Sequence, residues 1–106
     1  MVCRLSPTHT ALGYVEPPTL HGGAIASCMD TACWYAIVQQ SGSQEWVAVD
    51  LRIDFLRTAP PDPLRIDAIC LRAGRKLATA DVRITVSGEP DRLIAVGRGT
   101  FARSGG

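Results

Sequence analysis

Several features that would assign a function directly are missing from this 106-residue sequence. Its 11 Lys and Arg nearly balance 10 Asp and Glu, and no clustered basic stripe suggests a nucleic-acid partner. No charged start leads into an apolar secretory core, and the apolar run after residue 20 extends for about 16 residues, short of a bilayer span. Repeats and low-complexity segments are also missing. These absences predict a cytoplasmic protein that uses neither nucleic acid nor a membrane as partner.

The cysteines form no Cys-x-x-Cys pair and no regular disulfide framework. They are Cys3, Cys28, Cys33 and Cys70. We expect buried thiols, as in a reducing cytoplasm. No recognised spacing supports a metal site, for which the candidates would be Cys3, His9, His21 and Cys28. A Cys28 nucleophile is also disfavoured, because helix positions two apart point in different directions and Asp30 would lie away from it.

The composition, 46% hydrophobic residues in a short chain, predicts a single domain over residues 1–106. Within it we expect a short strand and loop over 1–19, a helix from near Gly22 to the stop signal at Ser41 and Gly42, and a disordered tail over 103–106. Strand patterns follow at 46–55, 64–72, 77–86 and 93–102. One helix followed by four strands with short turns predicts an α+β fold, an antiparallel sheet with the helix on one face.

Alternation with a period of two assigns faces to two of these strands. In the first, the predicted apolar face consists of Val47, Val49, Leu51, Ile53 and Phe55, which indicates a half-buried strand. In the third, it consists of Ala78, Ala80, Val82, Ile84 and Val86. Gly97 and Gly99 in the last strand suit a curve or the close approach of another backbone.

The segment "LHGGAIASCMDTACWYAIVQQ" places one carboxylate, Asp30, in the middle of the apolar helix. A buried carboxylate without a partner is costly, so it must be paired, hydrogen-bonded, neutral or open to a cleft. One interpretation is structural, with Asp30 bonded to Thr31, to the backbone or to an Arg of the sheet. The other is that Asp30 is a functional carboxylate.

His21 and two glycines stand at the predicted helix start, where unbonded N–H groups and the helix dipole can stabilise an oxyanion. A plain loop with His21 as a local cap is the alternative. Gly22 and Asp30 are eight residues apart, or about 12 Å along a helix, which is too far for both to act on one atom. A dimer would solve this by bringing one subunit's Gly22 to its partner's Asp30. An apolar helix in a small domain also favours oligomerisation.

Two further groups have both structural and functional interpretations. Trp34 and Tyr35 can line an acyl pocket or belong to the core. Arg72, Arg75 and Lys76, in the turn "RAGRK", can meet phosphates or remain solvated.

The stretch "LHGGAIASCMDTA" resembles the signature of hotdog-fold acyl-CoA thioesterases, in particular the phenylacetate-pathway (PaaI-like) branch. The strands "VAVDLRIDFLRTA", "LRAGRK" and "LIAVGRGTF" agree in order, so the resemblance covers residues 20–102. It implies a hotdog fold, in which an antiparallel sheet wraps around one long helix. It also implies hydrolysis of a small or medium acyl-CoA or aryl-CoA by a homodimer or homotetramer with its active site at the subunit interface.

Carried over by position, the resemblance gives Gly22 the N–H that polarises the thioester carbonyl. Asp30 would be general base or nucleophile, and His21 would orient the thioester. Substrate contacts would come from Gly23, Ala48, Arg75 and Lys76, without any cofactor beyond the coenzyme A of the substrate and without a metal.

The chain differs from this branch at two positions. Members often have an Asn six residues before the His and a Ser or Thr eighteen after the acid, where this chain has Val15 and Ala48. A non-catalytic acyl-binding or aromatic-ligand-binding hotdog protein is therefore a second hypothesis. A hotdog hydratase or dehydratase is a third, although the proline-flanked His motif associated with those dehydratases is missing.

Overall fold

The computed structural model describes residues 2–5, 12–15, 18–60 and 62–104, with side chains from residue 21 onward. Its elements are β1 (Val2–Leu5), β2 (Leu12–Val15), β3 (Pro18–Leu20), α1 (Gly22–Ser41), β4 (Trp46–Phe55), β5 (Leu64–Ala73), β6 (Leu77–Val86) and β7 (Glu89–Arg103). The predicted α+β order, one long helix before four long antiparallel strands, is confirmed.

The ends of α1 agree with the sequence signals. The helix begins at Gly22 and ends at Ser41, followed by Gly42 in the left-handed conformation with φ of 72°. The Gly42 N–H donates to the Val38 carbonyl at 2.8 Å, which satisfies one of the free carbonyls of the last turn. No helix in the described part of the chain is long and apolar enough to cross a membrane.

Five strands form one antiparallel sheet in the order β1-β5-β6-β7-β4, while β2 and β3 pair with each other. One face of the sheet packs against α1. The buried helix residues recur at helical spacing and are Ile25, Met29, Ala32, Cys33, Ala36 and Ile37. The predicted apolar face of β6 is confirmed, since Ala78, Ala80, Val82, Ile84 and Val86 are all buried.

The helix lies close to β7 because two glycines leave room for it. A Cβ added at Gly97 would lie 3.0 Å from the Met29 Cε atom and 2.7 Å from the Arg52 carbonyl oxygen. A Cβ at Gly99 would lie 3.5 Å from the Cys33 side chain. The predicted close approach of another backbone is therefore confirmed at Gly97, whereas Gly99 faces side chains.

β4 is an edge strand, and the prediction that it is half-buried is wrong for most of its length. Trp46 is buried, but Val47, Val49 and Phe55 are 55%, 64% and 52% exposed. Sequence alternation reports which residues share a face, but it does not report whether that face is covered within the same chain.

A β-bulge also breaks the predicted face of β4. Ala48 pairs with Phe101 and Asp50 with Thr100, so Val49 is the extra residue. Ala48 and Leu51 pair with Phe101 and Gly99, both of which face α1. Val47 therefore lies on the opposite face from Leu51, and the five residues assigned to one side do not share it.

Both ends of the chain differ from the predicted loop and tail. β2 and β3 form a small antiparallel pair where a loop was expected, with Val15 opposite Pro18. Arg103 belongs to β7, and its N–H donates to the Lys76 carbonyl at 2.8 Å. The Ser104 N–H donates to the Glu45 carbonyl at 2.7 Å, so the start of the expected tail is bonded. Residues 105–106, like 6–11 and 16–17, lie outside the described residues.

Candidate active site

His21 is the N-cap of α1, as expected for a local cap, and its role in orienting the thioester stays a prediction. Its backbone is extended (φ −63°, ψ 134°), and its Nδ1 accepts the Gly23 N–H at 2.8 Å. Its carbonyl oxygen accepts the N–H groups of Ala24 and Ile25 at 3.0 and 3.2 Å. Because Nδ1 is an acceptor here, the proton of the neutral ring is on Nε2. His21 thus accepts the otherwise unbonded N–H groups of Gly23 and Ala24, and its carbonyl also accepts the first regular i to i−4 bond of the helix, from Ile25.

The remaining first-turn donor is the Gly22 N–H. As the first helical residue, Gly22 has no intrahelical acceptor, and no hydrogen bond joins its N–H to another described residue. Gly22 is half-buried, and a Cβ added there would lie 3.5 Å from the Phe55 ring. The helix start therefore presents one N–H at its positive end, beside the C-terminal end of β4.

Asp30 has none of the partners that the structural interpretation requires. Thr31 donates its hydroxyl to the Ser27 carbonyl at 3.0 Å, not to Asp30. The ion pairs of the described side chains join other residues, and no hydrogen bond within the described part of the chain reaches the Asp30 carboxylate. The carboxylate is half-buried and open to a cleft, which is the arrangement expected of a functional group.

This cleft, which we call the Asp30 pocket, has a volume of about 330 Å³. Its lining residues are Asp30, Thr31, Trp34, Trp46, Val47, Ala48 and Phe101. Ala48 thus lines the same pocket as the acid, at the position where members of the resembled branch often have a Ser or Thr. Trp46 and Phe101 are lining residues that the sequence did not reveal, since their aromatic character alone indicates core.

Gly22 and Asp30 share one edge of the helix. The half-buried residues Gly22, Ala26, Asp30 and Trp34 follow each other at intervals of four, which places them on a single ridge. The Gly22 end of this ridge lies beside Phe55 and the Trp34 end beside Trp46. Because the donor and the acid remain about 12 Å apart along the axis, one chain does not bring them together.

Gly23 completes the helix start without offering a free donor. Its N–H is used by the His21 cap, and a Cβ added to it would lie 2.9 Å from the His21 Nδ1 atom. Gly23 therefore lets the His21 ring fold back over the first turn.

Arg75 and Lys76 lie in the exposed turn between β5 and β6. Their side chains do not line the Asp30 pocket, but Arg103 connects the Arg75 backbone to Trp46, which does line it. The Arg103 Nε donates to the Arg75 carbonyl at 2.8 Å, and the Arg103 guanidinium lies 4.5 Å from the centre of the Trp46 ring. The two cations therefore occupy the surface at the Trp46 end of the pocket.

Cys33 is poorly suited to be a nucleophile. Burial raises the pKa of its thiol to about 11, with smaller contributions from Asp30 and Asp81. Burial also raises the pKa of Cys70, so both remain thiols at neutral pH.

Within residues 21–60 and 62–104, whose side chains are described, no three His, Cys, Asp or Glu side chains are grouped to hold a metal. His9 and the Cys3 side chain lie outside this part.

The family model described as "Thioesterase superfamily" matches residues 18–92, which contain the helix start, Asp30 and Ala48. The chain belongs to the thioesterase superfamily. It is a thioester hydrolase. A separate comparison with curated proteins finds no match.

Solved structures agree with this assignment. Zebrafish thioesterase superfamily member 2 is 31% identical, with a TM-score of 0.84 over 97% of this chain and 73% of that one. The PaaI protein from the phenylacetic acid degradation operon of E. coli is 30% identical, with a TM-score of 0.80 over 99% and 72%. A Bacillus halodurans protein solved with CoA is 21% identical (TM-score 0.80, 93% and 68% covered) and shows the fold alone. The predicted PaaI-like hotdog thioesterase is thereby confirmed.

Proposed function

We propose that this thioesterase hydrolyses small or medium acyl-CoA or aryl-CoA thioesters at a site formed between two copies of the chain. Asp30 of one copy acts as general base or nucleophile, and the Gly22 N–H of the other polarises the thioester carbonyl. The observation that carries the proposal is a pair of groups on one helix ridge. Among the described residues, the Asp30 carboxylate has no hydrogen-bond or ion-pair partner and the Gly22 N–H has no acceptor.

The chemistry follows from these two groups. As general base, Asp30 takes a proton from a water molecule as its oxygen attacks the thioester carbon. The carbonyl oxygen gains negative charge, which the Gly22 N–H and the helix dipole stabilise. The C–S bond then breaks, and the protonated Asp30 returns its proton to the departing CoA sulfur, which leaves the free acid and the thiol and regenerates the carboxylate. His21 is a positioning residue here, because its cap fixes the first turn that presents the N–H.

The exposed edge of β4 explains how a second copy brings the groups together. β4 runs antiparallel to α1, with Trp46 near the Asp30 pocket and Phe55 near Gly22. If two β4 edges pair antiparallel about a twofold axis, the Phe55 end of one strand meets the Trp46 end of the other. The partner's Gly22 then approaches the Asp30 pocket, as the 12 Å separation requires.

The edge itself has the composition of a covered surface. Val47, Val49, Phe55 and the adjacent Leu56 are all more than half exposed in the single chain. Proteins usually protect a long edge strand with lysine, proline or a covering segment, and β4 has ten residues without either amino acid. Pairing with a second copy would satisfy the backbone hydrogen-bonding groups of this edge and cover apolar side chains on both faces of β4.

The CoA portion fits the outer surface near the same pocket. We assign its phosphates to Arg75 and Lys76, whose turn is fixed to Trp46 through Arg103. Gly23 and Ala48 would lie beside the thioester. The CoA in the Bacillus halodurans protein of the same fold supports a CoA thioester as the substrate.

The test is hydrolysis of an acyl-CoA panel, from acetyl-CoA to palmitoyl-CoA with phenylacetyl-CoA included, by wild type, Asp30→Ala and Asp30→Asn. We expect both substitutions to lower kcat/KM by more than about a hundredfold. Asp91→Asn is the matched control, because Asp91 is an exposed acid of β7 outside the Asp30 pocket. Undiminished activity in either Asp30 variant would remove Asp30 from the mechanism.

The same panel separates the alternative functions. Binding without catalysis is supported by the Ala48 methyl where a hydroxyl would orient water. It predicts that acyl-CoAs raise the melting temperature without releasing CoA. A hydratase would instead convert an enoyl-CoA to its hydroxyacyl-CoA and leave the thioester intact.

A further inference from the structure

We infer that Trp34 is the specificity-determining wall of the Asp30 pocket and restricts this thioesterase to short acyl groups. The inference rests on the proposed function and deepens it. Trp34 follows Asp30 by one helical turn on the same ridge, so its ring stands immediately beyond the reacting position.

The Trp34 ring is held in place at two points. Its Nε1 donates to the Trp46 carbonyl oxygen at 3.2 Å, across the gap between α1 and β4. Its ring also meets the edge of Tyr35, with centroids 5.1 Å apart and planes inclined by 78°. Moving the Trp34 side chain out of the pocket would break both the hydrogen bond of its indole N–H and the contact of its ring.

The partner of Trp34 is fixed as well. Trp46 is buried, and its own Nε1 donates to the Ser41 hydroxyl at 2.9 Å. The Arg103 guanidinium covers its ring at 4.5 Å. Phe101, which is 2% exposed, closes the inner side of the pocket. Trp34 therefore contacts a residue that is itself held by a hydrogen bond and by a cation–π contact.

The position of the Trp34 ring in the pocket determines which acyl groups fit. In the proposed dimer the partner's Gly22 approaches from the open edge of β4, and the CoA phosphates lie outside the pocket on Arg75 and Lys76. The acyl group then occupies the inner part of the Asp30 pocket, which Trp34 lines one helical turn beyond Asp30. The pocket of about 330 Å³ has room for on the order of ten water-sized groups, including the thioester and the attacking water. An acyl chain must end where it meets the indole.

The test compares kcat/KM for acetyl-, butyryl-, octanoyl- and lauroyl-CoA in wild type, Trp34→Ala and Trp34→Leu. We expect wild type to prefer the short substrates and Trp34→Ala to raise the octanoyl-to-butyryl ratio at least about tenfold. Each further buried methylene contributes roughly a fourfold factor. Trp34→Leu keeps an apolar side chain and should give a smaller shift in the same direction, which also covers the case in which the Ala variant fails to fold.

Leu71→Ala is the control, since Leu71 is an apolar side chain of β5 that is 48% exposed and outside the pocket. An unchanged ratio in the folded Trp34 variants, or an equal shift in Leu71→Ala, would overturn the role of Trp34. Wild-type turnover of butyryl-CoA decides the proposed function separately. If wild type neither hydrolyses nor binds any member of the series, as measured by melting temperature, both proposals fail.

Discussion

The Nδ1 atom of His21 accepts the Gly23 N–H at 2.8 Å, and the His21 carbonyl accepts the next two N–H groups. Among the described residues, every N–H group of the first turn of α1 except that of Gly22 therefore has an acceptor. This arrangement gives the His-Gly-Gly sequence a physical meaning, because the histidine organises the helix start and the first glycine supplies the donor.

His21→Ala should remove this cap and lower the free energy of unfolding by about 1 kcal/mol. His21→Asn should restore stability, because Asn is a favoured N-cap residue, and should also restore most of kcat/KM if His21 acts by positioning the turn. Denaturant unfolding and steady-state kinetics measure the two effects. Restored stability with activity still lost would mean that the imidazole itself contacts the substrate.

Gly22→Pro removes the proposed oxyanion donor while preserving the helix. Proline is favoured at the first helical position, and the extended His21 backbone (ψ 134°) suits a following proline. We expect kcat to fall by about a hundredfold or more. Gly22→Ala keeps the N–H and adds a methyl at ordinary contact distance from Phe55, so it should keep most activity. Equal activity in Gly22→Pro and Gly22→Ala would exclude the Gly22 N–H as the oxyanion donor.

Much of this arrangement is local and could be predicted from the sequence. The glycines at each end set the bounds of α1, and the alternation of β6 gave its buried face. The β2–β3 pair was missed because Pro17, Pro18 and Gly13 are typical of a loop. The bulge at Val49 and the edge position of β4 depend on pairing with β7, which no local period encodes.

The candidate site also divides into features that are local in sequence and features that depend on long-range contacts. Asp30 and Gly22 were found because an acid in an apolar helix and glycines at a helix start are local anomalies. Their shared ridge follows from helix geometry. The pocket that Asp30 shares with Ala48 was expected only from the family resemblance, whereas the hydrogen bond between Trp34 and Trp46 joins two sequence-distant residues and is revealed by the folded chain.

Ala48→Ser should place a hydroxyl in the Asp30 pocket, where it can orient the attacking water. We expect kcat to rise severalfold with little change in KM, because the hydroxyl acts on the water rather than on binding. Ala102→Ser is the control, since Ala102 lies in β7 outside the pocket. A change in KM alone would show that Ala48 contacts substrate without affecting the water.

Val49→Asp should dissociate the proposed dimer by placing a charge on the β4 edge. Ile69→Asp is the matched control, because Ile69 is equally exposed (63% against 64%) but belongs to an interior strand of the sheet. Sedimentation velocity should show monomers for the Val49 variant and dimers or larger species for the control, with activity lost only in the former. An active Val49→Asp monomer would contradict a site shared between subunits.

The most direct test of the central claim combines two inactive variants, Gly22→Pro and Asp30→Ala, by co-refolding at equal concentration. If one subunit's Gly22 serves its partner's Asp30, each mixed dimer contains one intact site. Random pairing then restores about a quarter of wild-type activity. If both groups acted within one chain, the mixture would stay as inactive as its parents even when native mass spectrometry shows mixed dimers, and the account would be wrong.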